Sequence, residues 1–143
     1  MFYEEVFRAL NKARVRYVVA GGVAVVLHGY PRFTADLDLI IHLEAKNMDR
    51  FFATIGRMGY QPRVPVTKAQ FMDEYNRRQW MKHKGMKVFS FFHQSEYLKT
   101  IDVFIKEPIN FSRLAEDMAR IRINDMIIPV VSIKHLIYLK KKA

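Results

Sequence analysis

Two aspartates separated by one residue, Asp36 and Asp38, are the side chains in this sequence best placed to do chemistry. The segment 34–43 alternates in a way that predicts a strand, with both aspartates on one face. Residues two apart on a strand lie about 6.5–7 Å apart. Carboxylates that close repel each other unless a proton or a cation lies between them, and Mg²⁺ prefers such oxygen ligands. The alternative is a solvent-facing strand end with two unpaired aspartates.

A glycine pair, Gly21 and Gly22, follows an apolar segment (residues 16–20) that predicts a buried strand. Glycine tolerates a positive φ and lets a phosphate approach the backbone. We predict a short helix over residues 23–28, whose free N–H groups would then face that phosphate. The alternative is a tight strand-to-helix turn without a ligand.

A third carboxylate, Asp102, lies in the middle of a predicted strand over residues 97–106. Charged residues avoid such positions unless they are paired or liganded. If this strand neighbours the strand of Asp36, three carboxylates converge; the alternative is a buried aspartate paired with a lysine or arginine. Other carboxylates are weaker candidates because they fall in predicted turns or at strand ends: Glu96, Glu107 and Asp125.

The remaining periodicity supplies the elements that must position these side chains. It predicts helices over 3–13, 45–58, 67–83, 111–120 and 132–142, further strands at 86–93, a loop at 61–66, and a hairpin at 121–131 that turns at Asn124 and Asp125. We expect one α/β (α+β) domain over residues 1–143, a mixed sheet flanked by helices with the metal site at its rim. The lysine-rich end without a capping glycine predicts an incomplete or disordered C-terminus, or else a natural one.

Composition limits the function classes. The chain has 143 residues, 24 Lys and Arg against 14 Asp and Glu, a net charge of +10, and no cysteine. The basic excess favours anionic partners such as RNA, DNA or phosphates, with a merely soluble basic surface as the alternative. No apolar run approaches the roughly 20 residues of a membrane span, and the N-terminus lacks a signal pattern. We therefore expect a cytoplasmic protein without disulfide or thiolate chemistry.

Taken together, these motifs resemble the nucleotidyltransferase superfamily that includes DNA polymerase beta. The shared pattern is a glycine pair, an Asp-hydrophobic-Asp strand and a third carboxylate on a later strand. The Arg32-x-Thr34-x-Asp36-hydrophobic-Asp38 string is similar to the minimal bacterial and archaeal members, including the AbiEii-like toxin group. The resemblance is strongest over residues 16–43 and looser toward Asp102 and the end of the chain.

The resemblance implies a role for each matching residue. Asp36 and Asp38 would bind two Mg²⁺ ions, and Asp102 would bind the catalytic ion and help deprotonate the attacking hydroxyl. Gly21 and Gly22 would cradle the phosphates of a nucleoside triphosphate, and Lys140 would neutralise phosphate charge. Arg32 and Thr34 would contact phosphate or brace the site. For Lys140, near the end of the chain, a solvated lysine in a basic helix end is the alternative. In the group, a Gly-Arg stretch with further aspartates often follows this point, and the sequence ends at Ala143, before such a stretch could appear.

The leading functional hypothesis is a metal-dependent nucleotidyltransferase that transfers a nucleoside monophosphate to a hydroxyl acceptor. The acceptor would be RNA, such as a tRNA end, or a protein, in a toxin-antitoxin-like setting with a partner protein. Two alternatives stay open: a small-molecule (antibiotic) nucleotidyltransferase, and a non-catalytic nucleotide- or RNA-binding module of the same fold. The polar helix around Trp80 is either an RNA-contacting surface or a solvated helix with one core tryptophan.

Overall fold

The computed structural model describes residues 3–142 as one α/β unit. Its elements in chain order are α1 Glu4–Lys12, β1 Tyr17–Ala20, α2 Gly21–Leu27, β2 Asp36–Ile41, α3 Ala45–Arg57, β3 Tyr60–Pro62, α4 Lys68–Met72, α5 Glu74–Lys84, β4 Val88–His93, β5 Thr100–Phe104, α6 Phe111–Asp117, β6 Ala119–Ile123, β7 Met126–Val130 and α7 Ile133–Lys142. Within residues 3–142, no helix is both long and apolar enough to cross a bilayer.

The strands form one mixed sheet of seven, in the order β3-β4-β5-β2-β1-β7-β6. β2 pairs in parallel with β5 and antiparallel with β1, so β2 lies near the centre of the sheet. β1 also pairs in parallel with β7, and the other neighbours are antiparallel. The predicted mixed sheet flanked by helices is confirmed.

Alternation along β2 divides its side chains between two hydrophobic clusters. Leu37, Leu39 and Ile41 join the larger cluster, which includes apolar side chains of α1, α3 and α4. Ile40, on the opposite face, joins a smaller cluster with side chains of α6 and α7. Because side chains alternate along a strand, Asp36 and Asp38 share the face of Ile40.

The sheet extends to an edge strand that the sequence pattern did not predict. Residues 61–66 were expected to form a loop, but Tyr60–Pro62 form β3 and pair with β4. Pro62 is compatible with this position because β3 is an edge strand, where a missing N–H need not break a ladder.

Several predicted element bounds differ in the structure. The single helix expected over 67–83 is divided at Asp73, which ends α4 in an extended conformation and caps α5 by accepting a hydrogen bond from Tyr75 N at 2.9 Å. The helix expected over 111–120 ends at Asp117, and residues 119–120 belong to β6 instead. The strand expected from residue 97 begins only at Thr100. Propensity alone does not mark these boundaries, because capping and strand pairing decide them.

Candidate functional site

Two carboxylates stand opposite each other at the centre of the sheet. The parallel register of β2 and β5 places Asp38 beside Asp102 and Asp36 beside Thr100. Asp102 lies on the face opposite the buried Ile101 and Val103, as the sequence pattern predicted. The strand of Asp102 is therefore a direct neighbour of the strand that carries Asp36 and Asp38.

The remaining predicted carboxylate, Asp36, is the first residue of β2 and is exposed. Its negative charge raises the pKa of both Asp38 and Asp102, so the three groups interact electrostatically. Within residues 3–142, no group of three or more His, Cys, Asp or Glu side chains is arranged so that it could hold a metal ion.

Burial and mutual repulsion make the central pair reluctant to hold two negative charges. Desolvation, followed by the charges of Asp102 and Asp36, raises the pKa of Asp38 to about 7. Desolvation also raises the pKa of Asp102, which the hydroxyl of Ser90 partly offsets. A divalent cation would relieve both effects, and hard carboxylate oxygens suit Mg²⁺. The oxygen chemistry of this pair is the kind that Mg²⁺ prefers, so a metal at these carboxylates stays a prediction.

Two residues that sequence reasoning missed support Asp102. Ser90, opposite Asp102 in the register of β4 and β5, donates a hydrogen bond from Oγ to Asp102 Oδ1 at 2.6 Å. Arg63 lowers the pKa of Asp102 through its charge, and its Nη2 donates to Thr100 Oγ1 at 3.4 Å. Neither residue belongs to a recognisable motif, because strand pairing and the turn after β3 bring them to the site.

The glycine pair packs directly against the carboxylate strand. Gly21 has a φ of +61°, and a Cβ added there would lie 2.0 Å from Asp38 Oδ2. At Gly22 an added Cβ would lie 2.7 Å from Thr34 Oγ1. The helix that was predicted to begin at Val23 begins at Gly21, so the pair forms the first residues of α2, without a side-chain cap at Ala20. Both positions require the smallest side chain for steric reasons as well as for backbone access.

Arg32 and Thr34 lie in the segment that leads from α2 into β2. Thr34 Oγ1 donates to the carbonyl of Asp36 at 3.4 Å. Arg32 is exposed, and its positive charge lowers the pKa of Asp38. Their positions beside Gly22 and Asp38 follow from the short chain distance and from the return of the chain along β2.

A cavity of about 490 Å³ opens between α2 and α7, next to Asp38. Five of the predicted site residues line it: Gly21, Gly22, Arg32, Asp38 and Lys140. Asp36, Asp102 and Thr34 are not part of its lining. Apolar side chains of α7, among them Leu136 and Ile137, form the opposing wall. The cavity therefore brings the glycine pair, one aspartate and two cations together beside an apolar surface.

The weaker carboxylate candidates have other partners. Glu96 pairs with Lys99, and Asp125 pairs with Arg8. Glu107 accepts hydrogen bonds from the backbone N–H groups of Leu43 and Phe111 and contacts His42 Nδ1 at 3.1 Å. Each of these three carboxylates therefore has a structural role in an ion pair or in hydrogen bonds to the backbone.

Comparison with known proteins yields similarity at the level of structure. No family model and no curated protein matches the sequence. A crystal structure from Thermotoga maritima, of a protein whose assignment as a nucleotidyltransferase is itself provisional, superposes with a TM-score of 0.64 at 13% identity, over 99% of this chain and 81% of the other. A protein from H. pylori with a similarly provisional assignment gives 0.46 at 16% identity, over 97% of this chain and 56% of the other.

The first of these similarities shows the fold. The described residues adopt the mixed α/β architecture of that nucleotidyltransferase-like structure, with a seven-stranded sheet and helices on both faces. At this level of identity, activity must be argued from the site itself.

Proposed function

We propose that this protein is a metal-dependent nucleotidyltransferase, which transfers a nucleoside monophosphate from a nucleoside triphosphate to a hydroxyl acceptor and releases pyrophosphate. The observation that carries the proposal is the pairing of Asp38 with Asp102 on adjacent parallel strands, with Gly21 packed against Asp38. Carboxylates on adjacent strands, beside a glycine turn and a cavity, suit this chemistry because they can hold a metal ion next to a bound phosphate.

In this proposal the triphosphate lies along the start of α2. Gly21 and Gly22 would present backbone N–H groups to the phosphates, and their lack of a Cβ leaves room for the side chains of Asp38 and Thr34 beside them. Arg32 and Lys140 line the same cavity and would neutralise phosphate charge. The apolar wall from α7 would cover the nucleoside and exclude water.

Asp36, Asp38 and Asp102 are the residues that would hold Mg²⁺, with two ions expected. When bound, the metal supplies charge neutralisation for the entering and leaving oxygens of an in-line displacement. Asp102 is the group proposed to accept the proton of the attacking hydroxyl. Ser90 holds the orientation of that carboxylate through its hydrogen bond to Oδ1.

The acceptor that we favour is RNA, such as a tRNA end. The net charge of +10 favours a polyanion, and two aromatic side chains precede the parallel strands at the carboxylate edge. These are Phe33, which is 90% exposed, and Tyr97, which is 74% exposed. Exposed aromatic rings can stack on unpaired bases. Such modification of RNA in the cytoplasm would suit a toxin of the AbiEii-like group, acting with a partner protein.

A protein acceptor, a small-molecule acceptor or loss of catalysis would each leave the same fold. A non-catalytic module that no longer binds metal or nucleotide is disfavoured because half-buried carboxylates that repel each other cost stability when they serve no ligand. One experiment tests both whether the protein transfers nucleotides and which acceptor it uses.

The test offers each of four α-labelled nucleoside triphosphates, with Mg²⁺, to total RNA and to total protein. We expect label on RNA with the wild-type protein and a loss of at least about 100-fold with Asp102→Asn. Asp49→Asn, an exposed aspartate that pairs with Lys68, is the matched control and should label normally. Label on protein instead of RNA would show that the acceptor is a protein.

Binding is measured separately by calorimetry of Mg²⁺ and of each triphosphate with wild type and Asp38→Ala. If the wild-type protein binds neither metal nor nucleotide, the enzymatic proposal is wrong.

A further inference from the structure

A second cavity, of about 420 Å³, lies at the end of β2 and β5 remote from the aspartates. It is lined by Leu43 beyond β2, by residues 105–107 beyond β5, and by Glu74, Arg77, Arg78 and Met81 of α5. Because β2 and β5 are parallel and begin at the aspartate edge, this cavity lies at the opposite edge of the sheet. It shares no lining residue with the cavity between α2 and α7.

Arg77 is the unusual residue of this cavity. It is only 5% exposed, and among the described residues it has no carboxylate within ion-pair distance. Its Nη1 donates to the carbonyl of Phe71 and contacts Met48 Sδ at 3.6 Å, and its guanidinium lies 5.5 Å from the centre of the Phe71 ring. A guanidinium has five N–H donors and stays charged in proteins, so these contacts leave donors to spare.

The other charges of the cavity leave a positive excess. Arg78 pairs with Glu74 one helical turn away. The carboxylate of Glu107 is already occupied by the N–H groups of Leu43 and Phe111 and by His42. Lys106, which is exposed, has no ion pair among the described residues. Arg77 and Lys106 are thus the two cations of the cavity without an anionic partner.

We propose that this cavity binds a phosphate-bearing small molecule, held by the guanidinium of Arg77 and by Lys106. A buried charge is costly unless it is paired, and Arg77 receives only a carbonyl, a sulfur and a ring from the protein. Desolvation lowers its pKa, and the more distant charges of Glu74 and Asp73 offset this only in part. Arginine matches phosphate with parallel hydrogen bonds, and the volume exceeds what one phosphate ion fills.

The test titrates the full chain with pyrophosphate, and separately with adenosine monophosphate, in metal-free buffer and follows the backbone amides by NMR. Binding at the second cavity shifts the amides of Leu43, Lys106 and Glu107, whereas binding at the first shifts Gly21 and Gly22. We expect saturable shifts of the first set with at least one probe, and at least a tenfold weaker dissociation constant for that set in Arg77→Gln.

Lys82→Ala is the matched control, because Lys82 lies exposed on the same helix and does not line the cavity. It should leave the dissociation constant within twofold. If Arg77→Gln does not fold, Lys106→Ala takes its place, with an expected loss of about threefold to tenfold. The proposal is overturned if neither probe shifts the Leu43 set, or if Lys82→Ala weakens binding as much as the cavity variants do.

Discussion

The carboxylate of Asp38 occupies the space that a side chain at position 21, the start of α2, would need. An alanine at position 21 would place its Cβ 2.0 Å from Asp38 Oδ2, in a backbone conformation with a φ of +61°. Both the clash and the left-handed backbone disfavour any side chain there. The residue therefore couples the geometry of the helix start to that of the carboxylate.

Gly21→Ala is expected to lower the free energy of unfolding by at least about 2 kcal/mol and to reduce nucleotidyl transfer at least about 100-fold. Gly56→Ala is its control, since an added Cβ there meets nothing within 4 Å and Gly56 lies in α3. That variant should be neutral or about 0.5 kcal/mol more stable. Chemical denaturation measures both, and equal losses in the two variants would contradict the assignment of strain to Gly21.

The raised pKa of Asp38 predicts that the stability of the folded protein depends on pH. This pKa is raised from 3.8 to about 7 in the folded protein. A raised carboxyl pKa means that its protonated form favours folding, so this contribution is fully present below about pH 4 and is lost as the pH rises through 7. In chelator, Asp38→Asn should therefore be about 2–4 kcal/mol more stable than wild type at pH 8 and should show little gain at pH 4.

Thermal unfolding of both proteins across pH 4–8 checks this expectation, and added Mg²⁺ should stabilise the wild type at pH 8 far more than the variant. A constant difference between the two proteins at every pH would show that packing, and not charge, is responsible.

At the scale of elements, the side chain of Tyr3, which directly precedes α1, forms hydrogen bonds at the starts of the two aspartate strands. The Tyr3 hydroxyl accepts a hydrogen bond from Thr100 N at 3.1 Å and donates to the carbonyl of Ala35. Burial raises its pKa to about 12. Thr100 begins β5 and Ala35 precedes β2, so this contact joins the two aspartate strands where they start.

Tyr3→Phe is expected to lower the free energy of unfolding by about 1–2 kcal/mol, because it leaves the buried N–H of Thr100 without its partner. Tyr97→Phe removes a hydroxyl from a ring that is exposed before β5 and should change stability by less than about 0.5 kcal/mol. Urea denaturation of the two variants measures the difference. A Tyr3→Phe protein as stable as wild type would mean that water replaces the hydroxyl.

For the whole molecule, the first cavity depends on the last helix returning to the first glycines. α7 supplies Leu136, Ile137 and Lys140 to a cavity whose other wall is α2. If this cavity holds the triphosphate, a negative charge on α7 facing it should repel the ligand while leaving the fold intact.

Ile137→Asp should weaken triphosphate binding by about tenfold or more, because Ile137 lines the cavity and is 52% exposed. Tyr138→Asp makes the same change of charge at a neighbouring position of similar exposure, 45%, outside the cavity lining. It should weaken binding by less than threefold. Calorimetry with a non-hydrolysable triphosphate compares them, and equal effects would place the nucleotide elsewhere.

Much of the local structure was predictable, and its limits have physical causes. The alternation of β2 placed Leu37 and Leu39 on one face and the aspartates on the other, as the structure confirms. β3 was missed because its three residues have too short a pattern and depend on pairing with β4. The break at Asp73 was missed because the polar sequence of 67–83 carries little apolar periodicity to interrupt.

The sequence by itself determined which side chains could do chemistry and on which face of its own strand each carboxylate stands, because those properties follow from residue type and a period of two. Only the tertiary structure decided that β5 lies parallel to β2 with Asp102 beside Asp38, and that Ser90 and Arg63 support this pair. It also decided that Lys140 shares a cavity with Gly21. These contacts join residues far apart in the chain, and packing of the whole sheet and its helices, not local preference, selects them.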